Sequence, residues 1–252
     1  MRRPILAVMV ALLVFLVVAC TGRSQRQAAD PSAAATTLPK GSQPVQLDPA
    51  QFTTEIDNPY WPMAPGNRWR YRETDQGEVR RVEVVVTDQT KTIMGIQARV
   101  IHDQVTATDG ALVEDTLDWY AQDAKGNIWY LGEDTKEYEN GKVTSTEGSW
   151  QAGVDGAQPG ILLPADPHPG LAYRQEYLEG QAEDAATVLS LNMRVKVPFG
   201  TFAHVLVTED FTPLEPEIVE HKFYARGVGP ALTIDVKGGA SREELLRFDR
   251  AR

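Results

Sequence analysis

The chain of 252 residues carries 35 acidic against 25 basic side chains, a net charge of −10, and a single cysteine. So acidic a surface repels phosphate backbones and anionic headgroups, which argues against nucleic acid as a partner and, lipid attachment aside, against the membrane surface. One thiol excludes an intramolecular disulfide and a Cys-ligated zinc, so stability has to come from a hydrophobic core, for which a domain of about 200 residues is long enough.

Taken in chain order, the first signal is the basic "MRRP" followed by 14 uncharged apolar residues, Ile5 to Val18. That run has the length of a signal-peptide core and falls short of the ~20 residues of a spanning helix. "VVAC", Val17 to Cys20, resembles the lipobox of bacterial lipoproteins, with aliphatic residues, then small Ala19, then the lone Cys20. The competing reading is an ordinary secretory signal with an incidental Cys. The resemblance implies cleavage between Ala19 and Cys20 and a diacylglyceryl thioether on Cys20. The expectation is a signal peptide over 1–19 and a palmitate-type anchor holding the protein to a bacterial cell-envelope membrane, facing outside the cytoplasm. Each buried CH₂ contributes ~0.8 kcal/mol, so two or three acyl chains hold firmly. Loss of residues 1–19 leaves 23 basic against 35 acidic groups, a net charge of −12.

Thr21 to Ala50 has almost no large apolar residues and is rich in Ala, Ser, Thr, Gln and Pro. It reads as a disordered tether, so that 20–50 comprises the lipidated Cys and its linker and 51–252 a single β-rich domain. "IDNPYWPMAPGNRWRY" is expected to pack as a loop leading into a first strand over 68–73. Short Val-, Thr-, Tyr- and Trp-rich runs punctuated by glycine follow, among them "VRRVEVVVTD", "TVLSLNMRVKV", "TFAHVLVTED" and "EHKFYARG". This is the pattern of an antiparallel all-β protein, a strongly curled sheet forming a half-barrel or barrel. "EDAATVL" suits one helical turn, and "SREELLRF" a helix or a last strand. Gln151 to Gly170 holds four Pro and four Gly in 20 residues and is expected to be a long loop, a lid or a crossover.

Glu114 to Asp134 concentrates six carboxylates among two Trp and two Tyr around a Gly-Asn turn. Pairing Gln122 with Asn127 sets Trp119 opposite Tyr130, Tyr120 opposite Trp129 and Thr116 opposite Glu133. It predicts a buried face of Leu117, Trp119, Ala121, Ile128 and Tyr130. Glu114, Thr116, Asp118 and Glu133 then form a solvated face or the rim of a cavity. Glu114 and Asp118 would lie about 13 Å apart along the strand, too far to share one calcium ion. None of His102, His168, His204 and His221 falls in a metal-ligand pair, and no G-x-S-x-G or phosphate loop is present. No metal or cofactor is expected.

"NRWRY" and "FYARGVG" resemble uncharacterised extracytoplasmic β-sheet lipoproteins, and curled sheets of the lipoprotein-carrier type hold lipids or other apolar ligands on their concave face. That resemblance implies a non-enzymatic binding module, with Tyr60, Trp61, Trp69, Trp119, Trp129 and Tyr130 as its candidate lining; plain core packing is the alternative for each ring. Two other readings stand beside it. One is an envelope hydrolase, metal-assisted or acid–base, drawing on Glu114, Asp118, Glu176 or His102. The other is a structural partner in an envelope complex, pairing through an open strand edge.

Overall fold

The computed structural model describes residues 37–251; Ala19, Cys20 and the expected signal peptide lie outside the described residues. A 3-10 turn (Pro49–Gln51) and a two-residue strand β1 (Phe52–Thr53) precede the first meander. This consists of β2 (Arg68–Asp75), β3 (Glu78–Ile93), β4 (Ile96–Ala107), β5 (Leu112–Asp123) and β6 (Ile128–Glu139). Five short strands cross to the second: β7 (Lys142–Ser145), β8 (Trp150–Gln151), β9 (Gln158–Leu163), β10 (Ala172–Arg174) and β11 (Glu176–Tyr177). The second meander is β12 (Ala185–Val197), β13 (Gly200–Phe211), β14 (Val219–Ala225), β15 (Gly229–Lys237) and β16 (Arg242–Asp249). Both segments suited to helix, "EDAATVL" and "SREELLRF", lie largely within strands, β12 and β16, and no α-helix occurs among the described residues.

The strands lie in the order β10-β12-β13-β14-β15-β16-β2-β3-β4-β5-β6-β9-β11. The two ends of that path are separated in the chain by Gln175 alone. Ala172–Arg174 pair with β12 while Glu176–Tyr177 pair with β9, so one short segment touches both edges of the sheet. The antiparallel sheet is thereby nearly closed into a barrel with one seam. At the seam the amides of Gln175 and Glu176 both donate to the Asp184 carbonyl, at 2.7 and 3.3 Å.

Part of the expected Pro/Gly-rich loop proves to be strand, Gln151 of β8 and all of β9. Ile161, Leu162 and Leu163 are buried in β9, which pairs with β6 on one side and β11 on the other. A continuous apolar run of this kind marks a strand buried on both faces. Gly160 in β9 is required by contact: a Cβ there would sit 2.3 Å from the Gln175 carbonyl oxygen and 2.6 Å from that of Arg174. The backbones approach too closely for any side chain.

The boundary at residue 51 also shifts. Leu38, Val45 and Leu47 pack against the core, and the Arg174 amide donates to the Pro39 carbonyl at 2.7 Å. Arg174 is 2 % exposed, and its guanidinium donates to the carbonyls of Gly41, Gln43 and Pro159. A buried guanidinium needs acceptors, and residues 37–50 supply them although their composition reads as linker. At the other side of the domain the loop 54–67 is held against the β5–β6 turn. Gln122 accepts from the Asp57 and Asn58 amides, and the Asn58 side chain donates to Gly126 and Pro164 carbonyls.

Two outcomes follow from this closure. Gly160→Ala should cost about 3 kcal/mol or more, the range of an overpacked core, read as a lowered urea midpoint. A chain beginning at Gln51 should melt on the order of 10 °C below one beginning at Thr37, because hydrogen bonds to a charged group contribute ~1.5–3 kcal/mol each and Arg174 loses two or more; equal melting temperatures would show that residues 37–50 contribute nothing.

Candidate functional site

The inner face of the sheet lines a cavity of about 290 Å³ that opens to solvent. Its wall is built by alternation, which sends every second residue of each strand inward. From β2 and β3 come Tyr71 and Val84, from β4 Asp103, from β5 Tyr120, from β6 Tyr130 and Glu133, and from β14 Lys222 and Tyr224. Pro230 and Thr233 of β15, Glu243 of β16 and Glu176 of β11 complete the circle, and Trp61 reaches in from the loop 54–67.

One irregularity decides what faces inward from the hairpin β5–β6. Asp118 pairs with Glu133 and Tyr120 with Tyr130, so Leu131 and Gly132 together oppose Trp119 alone. This is a β-bulge, and it lets Tyr130 and Glu133, an odd number of residues apart, share the inner face. Gly132 has φ 132°, and a Cβ there would lie 2.3 Å from the Trp150 carbonyl of β8. Gln122 pairs with Ile128 where Asn127 was expected, so the register is shifted by one at the turn and by two beyond the bulge; Ile128, Trp129 and Tyr130 change face, and the rest of the hairpin keeps the faces expected of it. Glu114, Thr116, Asp118 and Glu133 stand on the side of the cavity, Trp119 on the opposite face.

Here the aromatic and acidic groups meet. The rings of Tyr120 and Tyr130 are 4.8 Å apart, and Trp61 lies 6.0 Å from Tyr120 and 6.4 Å from Tyr224. The Tyr130 hydroxyl donates to Asp118 at 2.7 Å. Glu133 accepts from Thr135, which in turn accepts from Thr116.

Enclosure raises the proton affinity of these carboxyls. Burial and the neighbouring Asp118 push Glu133 up to about 8. Burial pushes Asp118 up to about 6 against the hydrogen bonds from Tyr130 and Tyr120. Burial and Glu73 push Glu243 up to about 7. Asp103 rises well above the carboxylate range, through burial and then Asp118 and Glu243. Glu176 does so through burial and then Asp184 and Glu133. Burial alone would lower Lys222, but Asp210 and Glu220 hold its ammonium charged. Asp118 and Glu133 are cross-strand neighbours, and the charge of each raises the proton affinity of the pair.

Of the six rings expected to line a cavity, Trp61 and Tyr130 do so. Trp69 is fully buried in the core, stacked at 5.0 Å on Phe248, its indole N–H donating to the Val228 carbonyl. Lys91 covers Trp119 at 3.2 Å from the ring centroid. Trp129 packs edge-on against Phe52 and donates to Asp123. Tyr60 is buried under the Arg226 guanidinium. His102 pairs with Asp115, away from Asp118 and Glu176. Tyr71, Tyr120, Tyr224, Asp103, Asp184, Lys222 and Glu243 join the site without having been singled out; for all but Asp184, which precedes β12, the one local signal is an inward position on an alternating strand. No group of three or more His, Cys, Asp or Glu able to hold a metal ion occurs among the described residues.

The sign of the pH dependence follows from these carboxyls. Their proton affinities lie above those of the unfolded chain, so the stability they contribute is fully present below about pH 4 and is lost as pH rises through 6–8. The melting temperature should fall between pH 5 and pH 9. Glu133→Gln should flatten that fall and raise the melting temperature at pH 8.5 by a few degrees, on the order of 1 kcal/mol. A profile identical to the wild type's would mean that Glu133 carries no buried charge.

No family model and no curated protein matches this chain. Among solved structures it is similar to a crystal structure described as a "putative lipoprotein" from Parabacteroides distasonis, with 12 % identity and a TM-score of 0.41 over 75 % of this chain and 98 % of that one. At that distance the likeness says nothing of a ligand.

Proposed function

We propose that the protein is a lipid-anchored extracytoplasmic binding module, tethered to a membrane through Cys20, whose barrel interior takes a small ligand. The single observation carrying this reading is the cavity of about 290 Å³, lined by both aromatic rings and carboxyls. Concave sites of that size with a few convergent polar groups are where small molecules bind. The lining departs from the purely apolar one first expected. A fully apolar ligand would satisfy Trp61, Tyr120 and Tyr224 and leave the carboxyls unmatched, so the ligand has an apolar part and a polar end.

The anchor half of the proposal rests on the lipobox resemblance of Val17–Cys20. A second reading, acid–base hydrolysis, is favoured by the Asp118–Glu133 neighbours, one holding a proton more tightly than the other. Against it, His102 does not join them. The envelope-partner reading has little edge to use, since β10 and β11 both find partners across the seam.

The test has two parts. Cells fed labelled palmitate should label the wild-type protein, and Cys20→Ala should leave an uncut, unlabelled precursor; an unlabelled wild-type protein in the soluble fraction would refute the anchor. Native mass spectrometry of protein purified from its own membrane should show a co-purified small molecule. An empty protein that no small molecule stabilises against heat would refute the binding module.

A further inference from the structure

Five carboxyl side chains open on the cavity: Asp103, Glu133, Glu176, Asp184 and Glu243. Among the described residues, no Lys, Arg or His lies within ion-pair distance of any of them. Lys222, the single cation in the wall, is turned to Asp210 at 3.2 Å and Glu220 at 3.5 Å, neither of which lines the cavity. Crowded acids alone define no site. Glu176 adds an independent observation. It is 8 % exposed, it lines the cavity, and its Oε2 accepts no well-aligned hydrogen bond, although the Trp150 indole N–H, itself unpartnered, lies near enough to lower its proton affinity. The Asp103 Oδ1 likewise has no hydrogen-bond partner. A buried acceptor without a donor costs ~1–3 kcal/mol, more when charged, so it stands where a donor is missing.

Resting on the reading of the barrel as a binding module, we propose that its ligand is a small organic cation, a primary amine. Its ammonium group sits among Glu176, Glu133 and Asp103, and its hydrocarbon part lies against Trp61, Tyr120 and Tyr224. An ammonium brings three donors and a positive charge to acceptors that lack both. The aromatic faces attract the same charge and cover the alkyl chain. An anionic ligand would find no free cation among the described residues of the wall to meet it and would raise the proton affinities of these carboxyls further, whereas a cation lowers them and lets the carboxyls ionise. A neutral apolar one would leave Glu176 buried and unpaired. A bare metal ion needs oxygens within about 2.0–2.6 Å, closer than these carboxyls come to one point, and no group of three able to hold one occurs among the described residues.

The decisive measurement is isothermal titration of the full-length protein in a neutral detergent with three probes of equal length: 1,6-diaminohexane, 1,6-hexanediol and adipate. The diamine should bind, the diol at least tenfold more weakly, and adipate not at all. Glu176→Gln keeps the side-chain shape and removes the charge, and should weaken the diamine at least tenfold while leaving the diol unchanged. Glu133→Gln, a second variant on a different strand, should do the same. Equal binding of diol and diamine would overturn the cation and leave the binding module standing. So would silence of all three probes from a protein that carries a neutral or acidic molecule in its native mass spectrum. Silence of all three from an empty protein would overturn both proposals. Wild-type diamine affinity in both folded Gln variants would overturn the placement of the ammonium group and the proposal with it.

Discussion

Everything inside this barrel depends on the way its sheet is shut. Closure is made by six residues, Ala172–Tyr177, which pair with β12 through their first half and with β9 through their second. So short a segment can bridge two edges only if both come very near. Gly160 provides the approach from β9, and Arg174 ties the segment to Pro159 on β9 and to Gly41 and Gln43 of the N-terminal segment. The cost of burying that guanidinium shows in its proton affinity, which burial lowers to about 10. Without closure the inner carboxyls would face bulk water and behave as ordinary surface acids. With it they are confined at low dielectric beside one another, which is the origin of every raised proton affinity in the site.

A second constraint orients what the closure encloses. An unbroken hairpin places residues three apart on opposite faces, so Tyr130 and Glu133 could not both look inward. The bulge at Leu131–Gly132 reverses the alternation at that point, and β8 lies against Gly132 so tightly that a side chain there would strike the Trp150 backbone. Rings and carboxyls, which the sequence interleaves, are thereby sorted into neighbouring zones of one wall.

The fold was legible because its signals are local and repeated: period-two runs, glycine at the turns, no helical stretch of any length. The site was less so, and for two physical reasons. An isolated glycine inside a strand pattern marks a bulge, but Gly132 looks like the turn glycines around it, and a one-residue error exchanges the faces of the hairpin. Glu114, Asp118 and Glu133 could still be read as a set facing one way, because a one-residue shift at the turn and another at the bulge add to two, which restores the face. The partners of that set come from distant strands. Nothing local to Asp103, Glu243 or Glu176 says that a sheet of this order will turn them toward a common centre. Arg174 is the inverse case: the packing of residues 37–50 is dictated by a charge more than 120 positions further along the chain.

The two faces of the sheet treat the same side chains differently. Outside, Glu83 bridges Arg68 and Arg70, Asp249 accepts from Arg70 and Arg247, Glu244 from Arg72 and Arg242, and Asp115 from His102 and Gln104. These cross-strand and near-neighbour pairs neutralise charge where water already screens it, and each contributes little to stability. Inside, where screening is weakest and an unpaired charge is most costly, five carboxyls have no ion-pair partner among the described residues, and the lysine beside them is already engaged by Asp210 and Glu220. A sequence arranged for stability alone would do the reverse, with apolar residues inside and the arginines spread more thinly outside. The basic residues are there to be used, since 23 of them follow the expected cleavage site. That a single lysine, held by Asp210 and Glu220, is the one cation among the described residues to line the cavity beside these acids is the asymmetry to be explained, and a cationic group arriving from outside the chain explains it.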